Sequence, residues 1–424
     1  MASRQQRRFF KLIRLEEALR LMYEAVRNRP VECENVETVR SLGRVLAENI
    51  VSEVDLPNHD YAAMDGYAVR ASSVKEASQS NPVRLTVTGE LHPPDHPTNQ
   101  SIGDHEAVYV ACGAPIPKRA DAVLRVEHAD RENGEIIVKT PLERGRNICH
   151  TGEDLKRDEL VLYKNRVLRP QDIGLLVALN RKYVSVTRRP RVAILSVGDE
   201  LTEPFKDSQN KTINDHAYIV SSLIEYFGGE PVLIAIAQDN VEDISRKITL
   251  AMEKADLVIT IAGCSVGVRD YVPDAIGILG EPGIVFHGVA LSAGKVSGFA
   301  VAGSKLIVML PGHVGSTVAG FYLLVTPLMN MLQGLGFKDS LPTLKCVLDE
   351  TVRAKRLVDL LLPVKVFRSG AEYHAMPLTK PLSVLKNLVD ANGYVIVPAN
   401  SVLTKGASVD VKLYGALEFH SLAG

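Results

Sequence analysis

A multidomain α/β plus β fold follows from three features of this sequence. From Arg191 onward, runs that are apolar throughout (VAILSV, VLIAIA, DLVITIAG, KLIVMLPG) alternate with amphipathic stretches, the pattern of a parallel sheet covered by helices on both faces. Between Asp55 and Ile148 the texture is one of short alternating runs bounded by turn residues, as in a small β-rich module. Beyond a Gly- and Pro-containing link at residues 334–342, LLLPVKVF, GYVIVPA and ASVDVKLY read as strands of a separate all-β module. The expected division is a discontinuous helical domain over 1–54 and 149–185, an inserted β domain over 55–148, an α/β domain over 186–336 and a β domain over 340–424.

Each element has a local reason. Leu15, Ala18, Leu19, Met22 and Val26 recur at helical spacing and predict an amphipathic helix at the start, and the apolar residues of 36–46 predict a second. Val83, Leu85 and Val87, then Val108 and Val110, then Ile136 and Val138 alternate as strands do, and Asn133-Gly134 between two such runs predicts a tight hairpin. Helical signals return over 152–180, so the β module is inserted into an element made from both flanks. Asn214-Asp215 opens a helix with Ile219, Leu223 and Phe227 on one stripe and Gly228 at its end. A further helix carries Val241, Ile244, Ile248 and Met252 in phase, and KLIVMLPG leads into one that ends near Leu332.

Composition narrows the function. The 424 residues are 46% hydrophobic and 23% charged, with 49 basic and 50 acidic residues for a formal net charge of −1, so neither nucleic acid nor an anionic membrane is an expected partner. Five scattered cysteines without a CxxC pair point to a reduced compartment. No apolar run is expected to reach the roughly 18 residues of a spanning helix, and the basic start turns amphipathic before a signal-peptide core could form, so the expected location is cytoplasmic. Arg7, Arg8 and Lys11 read as a solvated helix face.

Ligands of open α/β sheets bind beyond the carboxyl ends of the strands. Four strand-end loops there combine Gly with Ser, Lys or Asp: SVGDE (196–200), AGCSVGVRD (262–270), SAGKV (292–296) and LPGHVGS (310–316). Such loops suit a phosphate or oxyanion, because glycines let backbone N–H groups approach it and Lys295 adds a full charge. No G-x-G-x-x-G or Walker-type string occurs, which argues against an ordinary dinucleotide or P-loop site. Asp65, Asp154, Asp199, Glu200, Asp215 and Asp270 supply carboxylates, and Mg²⁺ beside phosphate would suit them. Each has a plainer explanation: Asp215 as a helix N-cap, Asp154 in a turn, Asp65-Gly66 as a turn dipeptide. His59, His216, His287 and His313 are scattered, and Cys264 reads as a small buried residue rather than a nucleophile.

At these strings the sequence resembles the molybdopterin molybdenumtransferase family, the MoeA proteins and the related E domain of gephyrin. DLPNHDYAAMDGYAVR is similar to the family's D-L-P-x-x-D-x-S-A-M-D-G-Y-A, and CGAPIPKRADAV to its T-G-A-P-x-P-x-G-A-D-A-V; TGEDL, SVGDEL, the INDHAY region, AGCSVGVRDYV, AGK and LPGHVGS follow in the family's order. The resemblance implies a doubly wound molybdenum-cofactor-binding α/β domain, a C-terminal β-barrel-like domain and a homodimer whose cleft lies at the subunit interface. It implies that adenylylated molybdopterin and molybdate or tungstate are substrates, that Mg²⁺ assists and AMP leaves, and that other molybdenum-cofactor biosynthesis proteins are partners. It carries over Asp65, Asp154, Asp215, Asp270 and Lys295 as catalytic, with Asp65 and Asp154 as Mg²⁺ ligands. Ser196, Gly198, Asp199, Glu200, Gly263, Ser265, Gly267, Gly294, Pro311, Gly312 and Ser316 become cofactor-binding positions.

The departures are specific. The family's K-x-x-x-K-P-G-K-P becomes GVALSAGKV, with Gly288 and Ser292 where lysines are expected and Ala293 and Val296 where prolines are. L-P-G-N-P-V-S becomes LPGHVGS, G-G-x-S becomes Ala262-Gly263-Cys264-Ser265, D-x-N becomes Asp215-His216-Ala217, and Ala62 replaces a serine. Losing two lysines should weaken oxyanion binding unless His313, Arg269 or Arg119 substitutes. The alternatives are a relative that binds molybdopterin or acts as a scaffold without catalysis, and an enzyme with altered anion specificity.

Overall fold

The computed structural model describes residues 11–95, 99–206, 211–265, 267, 269–381, 383–415 and 417. Lys11 is exposed and lies ahead of the first helix, while Arg7 and Arg8 fall outside the described residues. Helix α1 (Leu15–Val26) buries Ala18, Met22 and Val26 in the core of the α/β domain. The second helix expected over residues 36–46 does not form. Strand β1 (Cys33–Glu37) and a single 3-10 turn (Thr38–Arg40) occupy that region, with Gly43 at φ +73° and with Val39 and Leu42 exposed. The valines mimic helical spacing, but their branched side chains favour an extended chain.

Next come β2 (Ile50–Val51), β3 (Tyr61–Ala62), β4 (Gly66–Val69), β5 (Val83–Leu91), β6 (Glu106–Val110), β7 (Ala122–Arg125), β8 (Ala129–Glu132) and β9 (Glu135–Val138). The last six form one sheet in the order β7-β4-β6-β5-β9-β8. Asn133 and Gly134 take φ of 51° and 85° in the β8–β9 turn, as the hairpin reading requires. The chain then returns through β10 (Ile148–Cys149), β11 (Leu160–Leu162), α2 (Pro170–Ala178) and β12 (Tyr183–Thr187). Strand β10 pairs with β3, β11 with β2 and β12 with β1, so both flanks of the inserted sheet are stitched together by strands.

The α/β domain contains β13 (Arg191–Val197), β14 (Leu201–Thr202), β15 (Thr212–Ile213), α3 (Asp215–Tyr226), β16 (Glu230–Ala237), α4 (Val241–Lys254), β17 (Leu257–Ile261), α5 (Val272–Gly277), β18 (Pro282–His287), β19 (Gly298–Ala302) and β20 (Lys305–Leu310). It ends in α6 (Val314–Gly320), which continues through a π turn (Phe321–Val325) into α7 (Thr326–Leu332). The sheet order is β16-β13-β17-β20-β19-β18; the first four strands are parallel, as expected, whereas β19 and β18 extend the sheet as an antiparallel edge. The strands bury both faces. Val192, Ile194, Ile259 and Val308 face α1, α3 and the α6–α7 helix, while Ala193, Leu195, Val258 and Ile307 face α4 and α5. Residues 314–332 are, by length and composition, apolar enough to cross a membrane, which corrects the reading of no such run; 94% of that stretch is buried as the core helix of this domain.

The C-terminal unit comprises β21 (Thr343–Leu348), β22 (Val352–Arg353), β23 (Leu360–Ser369), β24 (Glu372–Pro377), α8 (Leu385–Asp390), β25 (Gly393–Val397), β26 (Val402–Leu403) and β27 (Ser408–Leu413). Strands β21-β24-β23-β25-β27 close a barrel around Leu348, Val364, Val397 and Val411.

Candidate functional site

Parallel pairing fixes where the strand-end loops lie. Strands β16, β13, β17 and β20 are neighbours, so residues 238–240, 198–200, 262–265 and 311–316 emerge side by side at one edge. The chain leaves β13 for β16 on one side and returns to β17 on the other, which opens a crevice between residues 198–200 and 262–265. Strand β19 runs antiparallel to β20, with Gly298 opposite Met309, so the 292–296 loop reaches the same edge. Sequence-predicted Ser196, Gly198, Asp199, Glu200, Gly263, Ser265, Gly267, Asp270, Gly294, Lys295, Pro311, Gly312 and Ser316 are therefore brought to one edge.

Close packing explains the glycines. A Cβ on Gly312 would stand 3.1 Å from that of Ala262, and one on Gly198 would come within 2.6 Å of the Glu200 carboxylate. Gly263 and Gly294 take φ of 64° and 113°. Asp270 accepts from the Gly267 N–H at 2.6 Å and shapes the loop after β17. Ser316 and Pro311 are buried at the start of α6, and the Thr317 hydroxyl donates to the Pro311 carbonyl at 2.6 Å. Asn214, not Asp215, is the cap residue of α3; Asp215 is the first helical residue and lies 3.6 Å from His216. Ser196 Oγ, Thr260 Oγ1 and Asn214 Nδ2 are buried with no hydrogen-bond partner among the described residues, the signature of polar groups kept for water or ligand.

Charge at this edge is organised. Burial raises the Asp239 carboxyl above the usual range, the Asp199 N–H opposes this, and the Asp199 and Glu200 carboxylates reinforce it. Asp239, missed in sequence reading, faces Asp199: the Asp239 N–H donates to Asp199 Oδ1 at 3.2 Å and the Asp199 N–H to Asp239 Oδ2 at 3.5 Å. Burial also lowers His216, and nearby His313 adds to that effect while Asp215 opposes it. His287 is lowered by burial although its Nε2–H donates to the Cys264 carbonyl at 2.6 Å. Cys264 is buried, and desolvation pushes its thiol up to about 12, which suits packing rather than nucleophilic attack.

Two of the family's lysines are absent from the 288–296 segment. Gly288 has φ of 107°, which a lysine would adopt only with strain. The Ser292 N–H donates to the Asp359 carbonyl at 2.7 Å and its hydroxyl accepts from the Leu361 N–H at 3.1 Å, tying this loop to the barrel. Between loop and barrel lies an open pocket of about 580 Å³ with an apolar floor that includes Val352, Val358, Leu360 and Leu378, and Ser292, Lys295, Arg353, Lys355, Lys380 and Glu350 border it. Arg353, Lys355 and Lys380 were not picked out from sequence, because isolated basic residues in a β module carry no local signal. Of the substitutes expected, His313 lies beside His216, Arg269 beside Asp239, and Arg119 is on the inserted domain 3.9 Å from Asp104.

Asp65 and Asp154 belong to another surface, the exposed loops flanking β3 and β10. Asp65 Oδ1 accepts from the Cys112 N–H at 2.8 Å, and a Cβ on Gly66 would overlap the Leu124 carbonyl oxygen, so this glycine serves close approach of strands rather than a turn. The Asp154 N–H donates to the Leu56 carbonyl at 2.9 Å. Among the described residues, no group of three or more His, Cys, Asp or Glu side chains is arranged to hold a metal. Asp65 and Asp154 are each an exposed carboxylate of the kind Mg²⁺ takes singly beside water and phosphate.

Comparison with known proteins agrees with this architecture. Sequence profiles described as "MoeA N-terminal region (domain I and II)", "Probable molybdopterin binding domain" and "MoeA C-terminal region (domain IV)" match residues 13–180, 193–331 and 346–414. A molybdopterin molybdenumtransferase of Haemophilus influenzae is 32% identical over 72% of this chain and 74% of its own length. A putative molybdopterin biosynthesis protein of Methanocaldococcus jannaschii is 28% identical over 95% of this chain and 98% of its own. The crystal structure of a molybdopterin biosynthesis MoeA protein from Pyrococcus horikoshii superposes with a TM-score of 0.82 at 31% identity, covering 96% of this chain and 100% of that one. From its first helix to its closing barrel, the chain belongs to the molybdopterin molybdenumtransferase (MoeA) family of enzymes.

Proposed function

We propose that this enzyme takes adenylylated molybdopterin and molybdate, or tungstate, releases AMP and leaves the metal oxyanion on the dithiolene. The observation that carries the reading is the basic cavity. In a chain that lacks two of the family's lysines, Lys295 is joined by Arg353, Lys355 and Lys380 around about 580 Å³, room enough for a tetrahedral dianion. The neighbouring glycine loops offer backbone N–H groups at the same strand edge, and buried Ser196, Thr260 and Asn214 have hydrogen-bonding capacity to spare.

Mg²⁺ would be held by Asp65 and Asp154, and when bound it neutralises charge on the phosphoanhydride oxygens. Asp65 is exposed on the inserted domain and Asp154 on the segment that returns from it, and this shared exposed face is the one that would meet the strand edge of a second copy in a homodimer. A cytoplasmic location and docking of other cofactor-biosynthesis proteins complete the reading. The test is AMP release from adenylylated molybdopterin by the purified protein with Mg²⁺, with and without molybdate. Asp65→Asn and Asp154→Asn are expected to abolish turnover and leave the oligomeric state unchanged, since each removes surface charge rather than core packing.

A further inference from the structure

We infer that His150, oriented by Asp60, accepts the proton in adenylate cleavage. This rests on the reading above. The two residues sit where β3 and β10 pair, Tyr61 opposite Cys149, and the same two chain segments continue to the Leu56–Leu155 bridge beside Asp154. His150 Nδ1 lies 3.1 Å from Asp60 Oδ2. The other oxygen, Asp60 Oδ1, accepts from the Thr151 N–H at 2.8 Å and from its hydroxyl at 2.7 Å. Burial acts to raise the Asp60 carboxyl, but the Thr151 and His150 bonds outweigh it and hold the group below its usual range. An ionised Asp60 fixes the tautomer: Nδ1 carries the proton and donates it, so the Nε2 lone pair is available as a base.

The His150 side chain is 53% exposed. On the same chain segment Gly145, at φ of 81°, lies beside Nε2, and a Cβ there would stand 3.2 Å from that nitrogen. The proposed step balances simply. A water oxygen bonds to the adenylate phosphorus, the bond from that phosphorus to the bridging oxygen breaks, and its electron pair leaves with the pterin-side phosphate. The water proton passes to Nε2, and Asp60 stabilises the imidazolium. AMP and the pterin phosphate result.

The experiment measures AMP release from adenylylated molybdopterin with Mg²⁺ and molybdate for the full-length wild type, His150→Ala, His150→Gln and Asp60→Asn. Loss of a general base predicts a fall in kcat of about 100-fold or more in both His150 variants, with a smaller fall in Asp60→Asn. KM should stay within about threefold, and added imidazole should restore part of the His150→Ala rate, which a merely structural role would not allow. The acidic limb of the wild-type kcat profile should disappear in His150→Gln. The ionisable groups around the ring are Asp60 just before β3, Glu153, which accepts the His150 N–H at 2.8 Å, Cys149 on its own segment, and Arg144 and Arg146 on either side of Gly145. Near-normal kcat in His150→Ala, a change in KM alone, or failure of imidazole to rescue would overturn the assignment. A wild type that binds the adenylate but releases no AMP would overturn the functional reading itself, and the base with it.

Discussion

Ala262 holds φ of 69°, a left-handed conformation that costs a residue with a Cβ about 1 kcal/mol. Its Cβ also faces Gly312 across the gap between two site loops. Ala262→Gly is therefore expected to raise unfolding free energy by about 1 kcal/mol in urea titrations, with no loss of protein fold. His287 makes a pH-dependent contribution. Its folded-state value is depressed by burial from 6.5, so below that pH the unfolded chain takes up a proton that the folded chain resists. Stability is then complete above that value and declines as pH falls. The melting temperature should drop as pH falls below 6.5, and His287→Gln should flatten the decline. Sequence disclosed the identity of these residues but not their conformations. Nothing in the string GVALSAGKV announces that Gly288 is at φ of 107°.

At the scale of elements, the parallel core strands were readable because each is apolar on both faces, and the loops at their ends follow from pairing order. The antiparallel edge β18–β19 was not readable, since its strands carry the same apolar run as a parallel one. The 36–46 stretch misled for a related reason: three-residue spacing of apolar groups fits a helix or an irregular strand alike. The basic cavity lay beyond any local pattern, because it joins the 292–296 loop to β22 and to Lys380 across a domain boundary. If it holds the oxyanion, Arg353→Ala should weaken molybdate half-saturation of AMP release by about tenfold, or ~1.4 kcal/mol. Urea unfolding should be nearly unchanged, because Arg353 is exposed. Phe321, by contrast, is fully buried in the π turn, and Phe321→Ala should cost about 3–5 kcal/mol in the same titration.

The whole molecule presents two separate groups of charged side chains. The 292–296 loop and the barrel border an open pocket carrying Lys295, Arg353, Lys355 and Lys380, and the loops around β3 and β10 display Asp65, Asp154 and the Asp60–His150 pair. Phosphoryl chemistry needs both, an anion held by cations and carboxylates able to recruit a metal. Acidic residues and glycine loops were legible as motifs, whereas their division between two surfaces required the fold. The most direct measurement is Mg²⁺-dependent AMP release from adenylylated molybdopterin, in the presence and absence of molybdate. The account predicts release that molybdate stimulates and that Asp65→Asn abolishes; adenylate bound tightly with no AMP formed, with or without molybdate, would contradict it.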